Sequence, residues 1–555
     1  MTLTPAACPP RARAAASALA LAGLFLAPLG PAAWLLAAGL LWVALRPALR
    51  PAWSDQAFVL GLGLGLALAV LAGLALWQSS AVLQGRRWWW LEDDAMVSMR
   101  YGARLAAGKG LTWTGSERVE GYSNLLWTLG MAAIHALGAG KATASAWVLL
   151  AEGACLAWLA LATRSLARHL GASALEASLA GAALALSYDQ LAAALSGLES
   201  VAVAACSAQA LAWAASPRRG DAWRALAMAA LLPLLRADGA LPALLVLALA
   251  WPRLGGGWRR WLAPGLVLAP GLAHLLWRHA YYGAWLPNTY TLKAGAWPGK
   301  WGGGAWKAGE ALLRYPLVAV AAASSLAVRA LRPYGAACAL LLAYCAWTGA
   351  DYFPFLRFFA PGWPLLFALG FASLGLRPWL ARWRGPLAWA LCLASFNAYL
   401  ALPSLAQAGW AAARERMELG LRLQPLTASG GRLASAWAGA FFYYSDAEGV
   451  DLLGKCDPVV AGAAPSLPLE GVGHNKMALD WSLGVLKPRW VLLEAPAYSA
   501  ADGAYLVAQY DQATAAHPLF IQHCLAHGRQ VAPHWALYDC DWSPAGSVPE
   551  RKATP

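Results

Sequence analysis

Apolar residues do not scatter along this chain; for most of its length they run together. Apolar stretches fall at roughly 14–29, 31–46, 57–77, 123–139, 143–163, 172–187, 198–215, 223–235, 240–251, 261–277, 311–328, 335–348, 361–376 and 385–403. A bilayer core takes about 20 apolar residues of helix. Several stretches are shorter than that, so the pattern predicts about 11 to 14 transmembrane helices. No comparable run follows residue 403. The stretch 404–555 reads as one soluble α/β domain with strand-like pieces at 489–494 (RWVLLE) and 504–510 (AYLVAQY). The expected fold class is a polytopic α-helical membrane protein. Its membrane domain covers 1–403, with a first large loop at 78–122, and a C-terminal soluble α/β domain covers 404–555. Arg11 and Arg13 ahead of the apolar run Ala14–Leu29 could pass for a signal peptide. A second apolar segment follows at once, so the run reads as a first transmembrane helix.

Composition supports lipid as the solvent. Of 555 residues, 60% are hydrophobic and 13% charged, where soluble domains carry about 25% charged residues; mean hydropathy is +0.48. The net charge of +14 fits arginines in cytoplasmic loops facing anionic headgroups. No basic stretch is interleaved with aromatics in the manner of a nucleic-acid surface. The 32 tryptophans suit membrane interfaces. Cys155, Cys206, Cys338, Cys345 and Cys392 lie in apolar runs, whereas Cys456, Cys524 and Cys540 lie in the polar C-terminal region. None has metal-ligand spacing. A C-terminal region facing an oxidising compartment would permit a Cys524–Cys540 bridge.

Arginine counting orients the chain in a bacterial inner membrane. Arg11/Arg13 and Arg46/Arg50 place both ends of the first two spans in the cytoplasm, which leaves 78–122 outside. Arg253/Arg259/Arg260, Arg329/Arg332 and Arg377/Arg382/Arg384 mark further cytoplasmic loops, so 278–310, 349–360 and 404–555 are extracytoplasmic. The two counts collide at Arg164/Arg168, so either 123–139 or 143–163 is interfacial or re-entrant.

The densest chemistry is in WWWLEDDAMVSMRYGARLAAGKGL (88–111). Glu92, Asp93 and Asp94 follow a tryptophan cluster at the membrane boundary, where carboxylates are costly and tend to be functional. Sugar transfer, with its oxocarbenium-like transition state, has work for such a group: a general base that takes the acceptor's proton. The plain alternative is a helix start whose acids complement the dipole. Arg100 and Arg104 lie four residues apart on one face. Further along come Glu120, Tyr122 and Asn124 in GSERVEGYSNLLWT (115–128), Glu199 in SGLES (196–200) and Arg236 with Asp238 in LLRADGALP (234–242). Asn288 and Lys293 follow in YYGAWLPNTYTLKAG (281–295), then Asp351 and Arg357 in GADYFPFLRFFAPGWP (349–364). A lipid phosphate needs cations at the membrane surface, and Lys293 and Arg357 are the leading candidates. Their alternative role is interfacial anchoring. No Walker loop, zinc motif or nucleophile elbow stands out. GLGLG (61–65) lies inside an apolar run and reads as helix packing. His517, His523, His527 and His534 cluster near the C-terminus and leave a metal site open.

Taken together, EDDAMVSMRYGARLAAGKGL, ERVEGYSNLLWT, SGLES, RADGALP, YYGAWLPNTYTLKAG, GADYFPFLRFFAP and YYSDAEGVDLLGKCDPVVA…GHNK resemble, in that order, the GT-C superfamily of polyprenyl-phosphate-dependent glycosyltransferases. The branch they look most like is the mycobacterial terminal β-(1→2)-arabinofuranosyltransferase family and its bacterial relatives. The resemblance spans residues 92 to 476. It implies a GT-C membrane core with its acidic pair on Asp93 and Asp94, Asp93 as general base and Asp94 as its partner, or the reverse. It also implies an inverting transfer of arabinofuranose from a decaprenyl- or undecaprenyl-type phosphate donor to an envelope glycan. The C-terminal region would help engage that acceptor, with Tyr443, Tyr444, Asp451, Asp457 and His474 as its signature. No cofactor is implied, although the acids could hold Mg²⁺ or Ca²⁺. The N-terminal hairpin (14–46), Ser123 and Lys455 depart from the family pattern, which leaves the donor sugar less fixed than the class.

Three rivals remain. The same fold could use another sugar or a protein acceptor such as a pilin. A lipid transporter or flippase would place ionisable groups near mid-membrane in repeated halves, whereas these acids cluster at one face and no internal repeat is found. A non-enzymatic envelope scaffold would tolerate loss of the acids.

Overall fold

The computed structural model describes residues 56–115, 117–293, 300–349, 353–375, 382–395, 402–467, 475–494 and 504–543. The expected spans at 14–29 and 31–46, and the candidates Asp351 and His474, lie outside the described residues. Helix α1 (Gln56–Gln78) leads into a two-stranded antiparallel hairpin, β1 (Ser80–Leu83) and β2 (Arg86–Trp89). After it come α2 (Asp93–Ala106), α3 (Leu125–Ala136), α4 (Ala144–His169), α5 (Ala174–Ala185), α6 (Tyr188–Ser196), α7 (Ser200–Ala215) and α8 (Arg219–Ala229). The core continues with α9 (Leu232–Leu235), α10 (Ala240–Ala250), α11 (Ala263–Tyr282), α12 (Asn288–Lys293), α13 (Lys300–Arg314), α14 (Pro316–Ala323), α15 (Arg332–Thr348), α16 (Trp363–Gly375) and α17 (Arg384–Ala394).

Among the described residues two helices, α1 and α4, are long and apolar enough to cross a bilayer. The pair Lys300–Arg314 and Pro316–Ala327, bent by 99°, would make a third. The core helices are thus shorter than about 11 to 14 full spans would require. The breaks have local causes. The run 172–187 ends at Ser187, where α6 starts, and Pro233 opens a separate turn after α8. These pieces face protein: every residue of α6, and all of α5 from Glu176 onward, is buried. Lipid supplies no hydrophobic drive between helices, so small residues that bring backbones together carry the packing. Gly63 of α1 shows this: a Cβ there would lie 2.4 Å from Ala182 Cβ of α5. The conflict around Arg164/Arg168 also has a physical answer. The 12 residues of α3 extend about 18 Å, short of the ~30 Å hydrocarbon core, so α4 is the member of that pair with the length to cross.

The chain beyond the core forms α18 (Leu402–Thr427), β3 (Arg432–Ser435), α19 (Ala440–Ser445), β4 (Glu448–Asp451), α20 (Pro458–Gly462), β5 (Trp490–Glu494), α21 (Ala504–Ala515), α22 (Pro518–His523), β6 (Gly528–Ala532) and β7 (Trp535–Asp539). The strands make one five-stranded sheet in the order β4-β3-β5-β7-β6. Strands β4 and β5 flank β3 in parallel; β7 pairs antiparallel with β5 and β6. The strand read at 489–494 is β5. The one read at 504–510 is helical: the run belongs to α21, which buries Tyr510, Asp511 and Thr514 at helical spacing.

Cys524 and Cys540 are bridged. The chain has nine cysteines and this bridge holds two, so nine minus two leaves seven. Denaturing thiol labelling of protein purified without reductant is expected to modify seven cysteines, rising to nine after reduction. Nine without reduction would place this region in a reducing compartment.

Candidate active site

The site begins where the hairpin hands the chain to α2. The Glu92 amide donates to the Ser196 carbonyl at the end of α6 (3.2 Å), which fixes the helix start against the core. Glu92 then caps the helix: its Oε2 accepts the Asp94 N–H at 2.8 Å. Asp93 and Asp94 fill the first turn and Arg104 the last, as the helix dipole favours.

Each acid meets a different partner, and most partners come from the C-terminal region. Asp93 is buried; its Oδ1 accepts the Ala440 N–H at 2.9 Å, and Arg416 Nη1 stands 3.8 Å from the same oxygen. That approach demands a glycine before Ala440, because a Cβ on Gly439 would sit 2.0 Å from the Asp93 carbonyl oxygen. The second oxygen of Asp93 is buried with no hydrogen-bond partner. Asp94 faces outward more, with 22% of its side chain exposed, and is paired with Lys455. Burial alone would raise its pKa, but Lys455, and then Lys293 and Arg357, outweigh burial and hold it well below the usual carboxylate range. For Lys455 the balance runs the other way: burial would lower it, while Asp94 and Asp93 raise it further and keep it charged. Burial, with the charges of Asp94 and then Asp93 beside it, pushes Glu92 up to about 8. At neutral pH Glu92 is therefore largely a neutral acid.

Lys455 went unrecognised in the sequence except as a departure from the family pattern. Two side chains hold its loop. Asp451, at the end of β4, accepts the N–H groups of Leu453 (3.0 Å) and Gly454 (3.2 Å) on one oxygen and that of Cys456 (2.7 Å) on the other. From the core side, the Asn288 amide nitrogen lies 2.7, 3.0 and 3.2 Å from the carbonyls of Gly454, Lys455 and Asp457. Asn288 starts α12, and Lys293 ends it.

The structure thus brings Glu92, Asp93, Asp94, Lys293 and Arg357 into one electrostatic neighbourhood and adds Lys455. The other candidates are engaged within the protein. Arg100 donates to the carbonyls of Trp113, Phe442 and Ala447 and clamps α2 to the sheet. Glu120 is buried against Arg278, and the Tyr122 and Tyr282 hydroxyls are 3.1 Å apart. Asn124 donates to Glu199 at 2.7 Å and accepts from Ser98 at 2.9 Å. Arg236 grips Asp238 through two nitrogens and donates to the Arg357 carbonyl at 2.6 Å, so this pair positions Arg357. Tyr443 and Tyr444 are buried, their hydroxyls against His135 and the Trp89 carbonyl. Each of these side chains thus has a partner within the protein. Among the described residues no group of three or more His, Cys, Asp or Glu converges as metal ligands. His517 pairs with Asp480 and His523 with the Asp541 carbonyl.

No family model and no curated protein sequence matches the chain. Solved structures do. ArnT from Cupriavidus metallidurans bound to undecaprenyl phosphate aligns at TM-score 0.57 and 14% identity over 88% of this chain and 99% of that one. Its apo state aligns at 0.55 and 14%, over 86% and 97%. The archaeal oligosaccharyltransferase AglB from Archaeoglobus fulgidus, in complex with an inhibitory peptide and a dolichol-phosphate, aligns at 0.53 and 12%, over 88% and 75%. The chain shares the fold of these proteins.

The raised Glu92 pKa has a signed consequence. The folded protein keeps a proton that the unfolded chain releases near 4.5, so the contribution is fully present below that pH and is lost as pH rises toward about 8. Glu92→Gln is expected to melt level with wild type near about pH 5 and above it near about pH 9. A constant difference across that range in a thermal-shift titration would refute the assignment.

Proposed function

We propose that this chain is a membrane glycosyltransferase that takes a sugar from a polyprenyl-phosphate donor, with Asp94 as general base. The observation that carries the reading is the Asp94 carboxylate, 22% exposed and paired with Lys455, within the electrostatic reach of Lys293 and Arg357. The fold shared with a protein crystallised with undecaprenyl phosphate and another with a dolichol-phosphate points to the same class of donor. Arabinofuranose is the favoured sugar and an envelope glycan the favoured acceptor, on the strength of the motif resemblance.

The roles of the acid pair follow from their surroundings. Asp93 is committed to the Ala440 N–H and buried, so it orients the helix start; Asp94 is the one an acceptor can reach. The acceptor oxygen attacks the anomeric carbon from the face opposite the phosphate, and its proton goes to Asp94. The bond from the anomeric carbon to the phosphate oxygen breaks, and polyprenyl phosphate leaves with the electron pair. Lys293 and Arg357 offset the charge that develops on it. Arginine counting and the Cys524–Cys540 bridge support an extracytoplasmic site in a bacterial inner membrane.

Transfer from synthetic polyprenyl-phosphate sugars, comparing arabinofuranose with mannose and glucose, tests the reading. Asp94→Asn is expected to lower kcat by about 10²–10⁴ while polyprenyl-phosphate binding persists. Asp93→Asn, whose amide oxygen can still accept the Ala440 N–H, should lose less. Arg357→Ala should raise the donor KM by about tenfold to a hundredfold. Full activity of Asp94→Asn would end the proposal, and a larger loss from Asp93→Asn would reverse the roles.

A further inference from the structure

We propose that Lys455 serves both reaction partners in turn: in the empty site its ammonium covers the Asp94 carboxylate, and the donor's phosphate draws it away, so that the base is exposed only once the donor is seated. This deepens the reading above and rests on Asp94 being the base.

The geometry separates what is fixed from what can move. The Lys455 backbone is held from both sides, by three N–H donors on Asp451 and by the Asn288 amide against three carbonyls. Its neighbours are locked as well: Cys456 lies against Gly121, where a Cβ would come within 2.4 Å of its sulfur. Asp457 accepts the N–H groups of Val459 and Val460 and the indole N–H of Trp481. The loop therefore presents Lys455 as a fixed root with a flexible four-carbon arm, and a swing of that arm requires no domain motion.

What can trigger the swing is set by charge. The Lys455 and Asp94 side chains are 13% and 22% exposed, so the pair is largely shielded from water. Breaking it for a neutral partner would strand a shielded charge. A sugar hydroxyl cannot displace the lysine. A phosphodiester, with a full negative charge and several acceptor oxygens, can take the ammonium in exchange. Lys293 and Arg357 are near enough to Asp94 to lower its pKa, so the incoming anion meets further cations in the same neighbourhood. The expected order is donor first and acceptor second.

Zero-length carbodiimide cross-linking of the full chain in detergent reads this contact directly, because activated Asp94 and the Lys455 amine condense to an amide found by peptide mass spectrometry. Without lipid, the 94–455 cross-link is expected in wild type and absent in Lys455→Met. Undecaprenyl phosphate at ten times its dissociation constant, measured separately by native mass spectrometry, should cut the yield about tenfold, in step with occupancy. Undecaprenol, which lacks the phosphate, should leave it unchanged. A yield that persists with the phospholipid bound overturns the switch and leaves the glycosyltransferase reading standing. No cross-link in the empty protein overturns it as well. Failure to bind undecaprenyl phosphate at all removes the parent reading and this one with it. In transfer assays Lys455→Met should raise the donor KM about tenfold, with Lys455→Arg recovering most of it.

Discussion

Three consecutive carboxylates at the start of one largely shielded helix are the constraint on which the rest of the molecule depends. Taking even one ion out of water is costly unless it is paired or neutralised. Here each acid has its own remedy: a proton and a capping bond for Glu92, a backbone N–H and a nearby arginine for Asp93, an ammonium for Asp94. The last two remedies come from residues 416, 440 and 455. The helical core therefore settles its own charges only in part, through Lys293 and Arg357, and the C-terminal region supplies the direct partners of Asp93 and Asp94. Arg100 ties the same interface from the other side, its guanidinium donating to carbonyls at 442 and 447.

The core meets this with close packing and polar anchors of its own. The alanine-rich helices α5, α6 and α7 are buried almost throughout, and contacts such as Gly63 on Ala182 bring backbones together. Between them, Asn124 joins Glu199 to Ser98, and Arg314 and Tyr315 hold Asp189. The first of these networks reaches α2 at Ser98, one helical turn beyond Asp94, so the platform under the acids is rigid.

The sequence reading singled out the acids because charge in an apolar context is conspicuous, and Lys293 and Arg357 because a lipid phosphate would need cations. It passed over Lys455 because the partner is 361 residues from Asp94 and no local pattern links them. The intramolecular partners of Arg100, Glu120, Tyr122 and Asn124 were illegible for a related reason. A polar side chain looks the same in sequence whether it meets a ligand, a backbone carbonyl or another side chain. The apolar runs revealed a membrane core but not its helix lengths, since a run buried among other helices and a run facing lipid are equally apolar. AYLVAQY shows the same limit at small scale: seven residues carry too little periodicity to separate a strand from the start of α21.

Charge balance explains why Glu92 sits where it does. Were Glu92 ionised as well, it would add a negative charge beside Asp93 and Asp94 and weaken the pull of Lys455, Lys293 and Arg357 on an arriving anion. With Glu92 holding its proton up to about 8, the cluster carries one negative charge fewer, and Arg416 beside Asp93 adds a further cation. Burial acts twice here, since the same loss of water that keeps Glu92 neutral strengthens the pull of the neighbouring cations on an anion. The shielding that makes these acids costly is thus also what leaves the site less negative than three ionised carboxylates would make it.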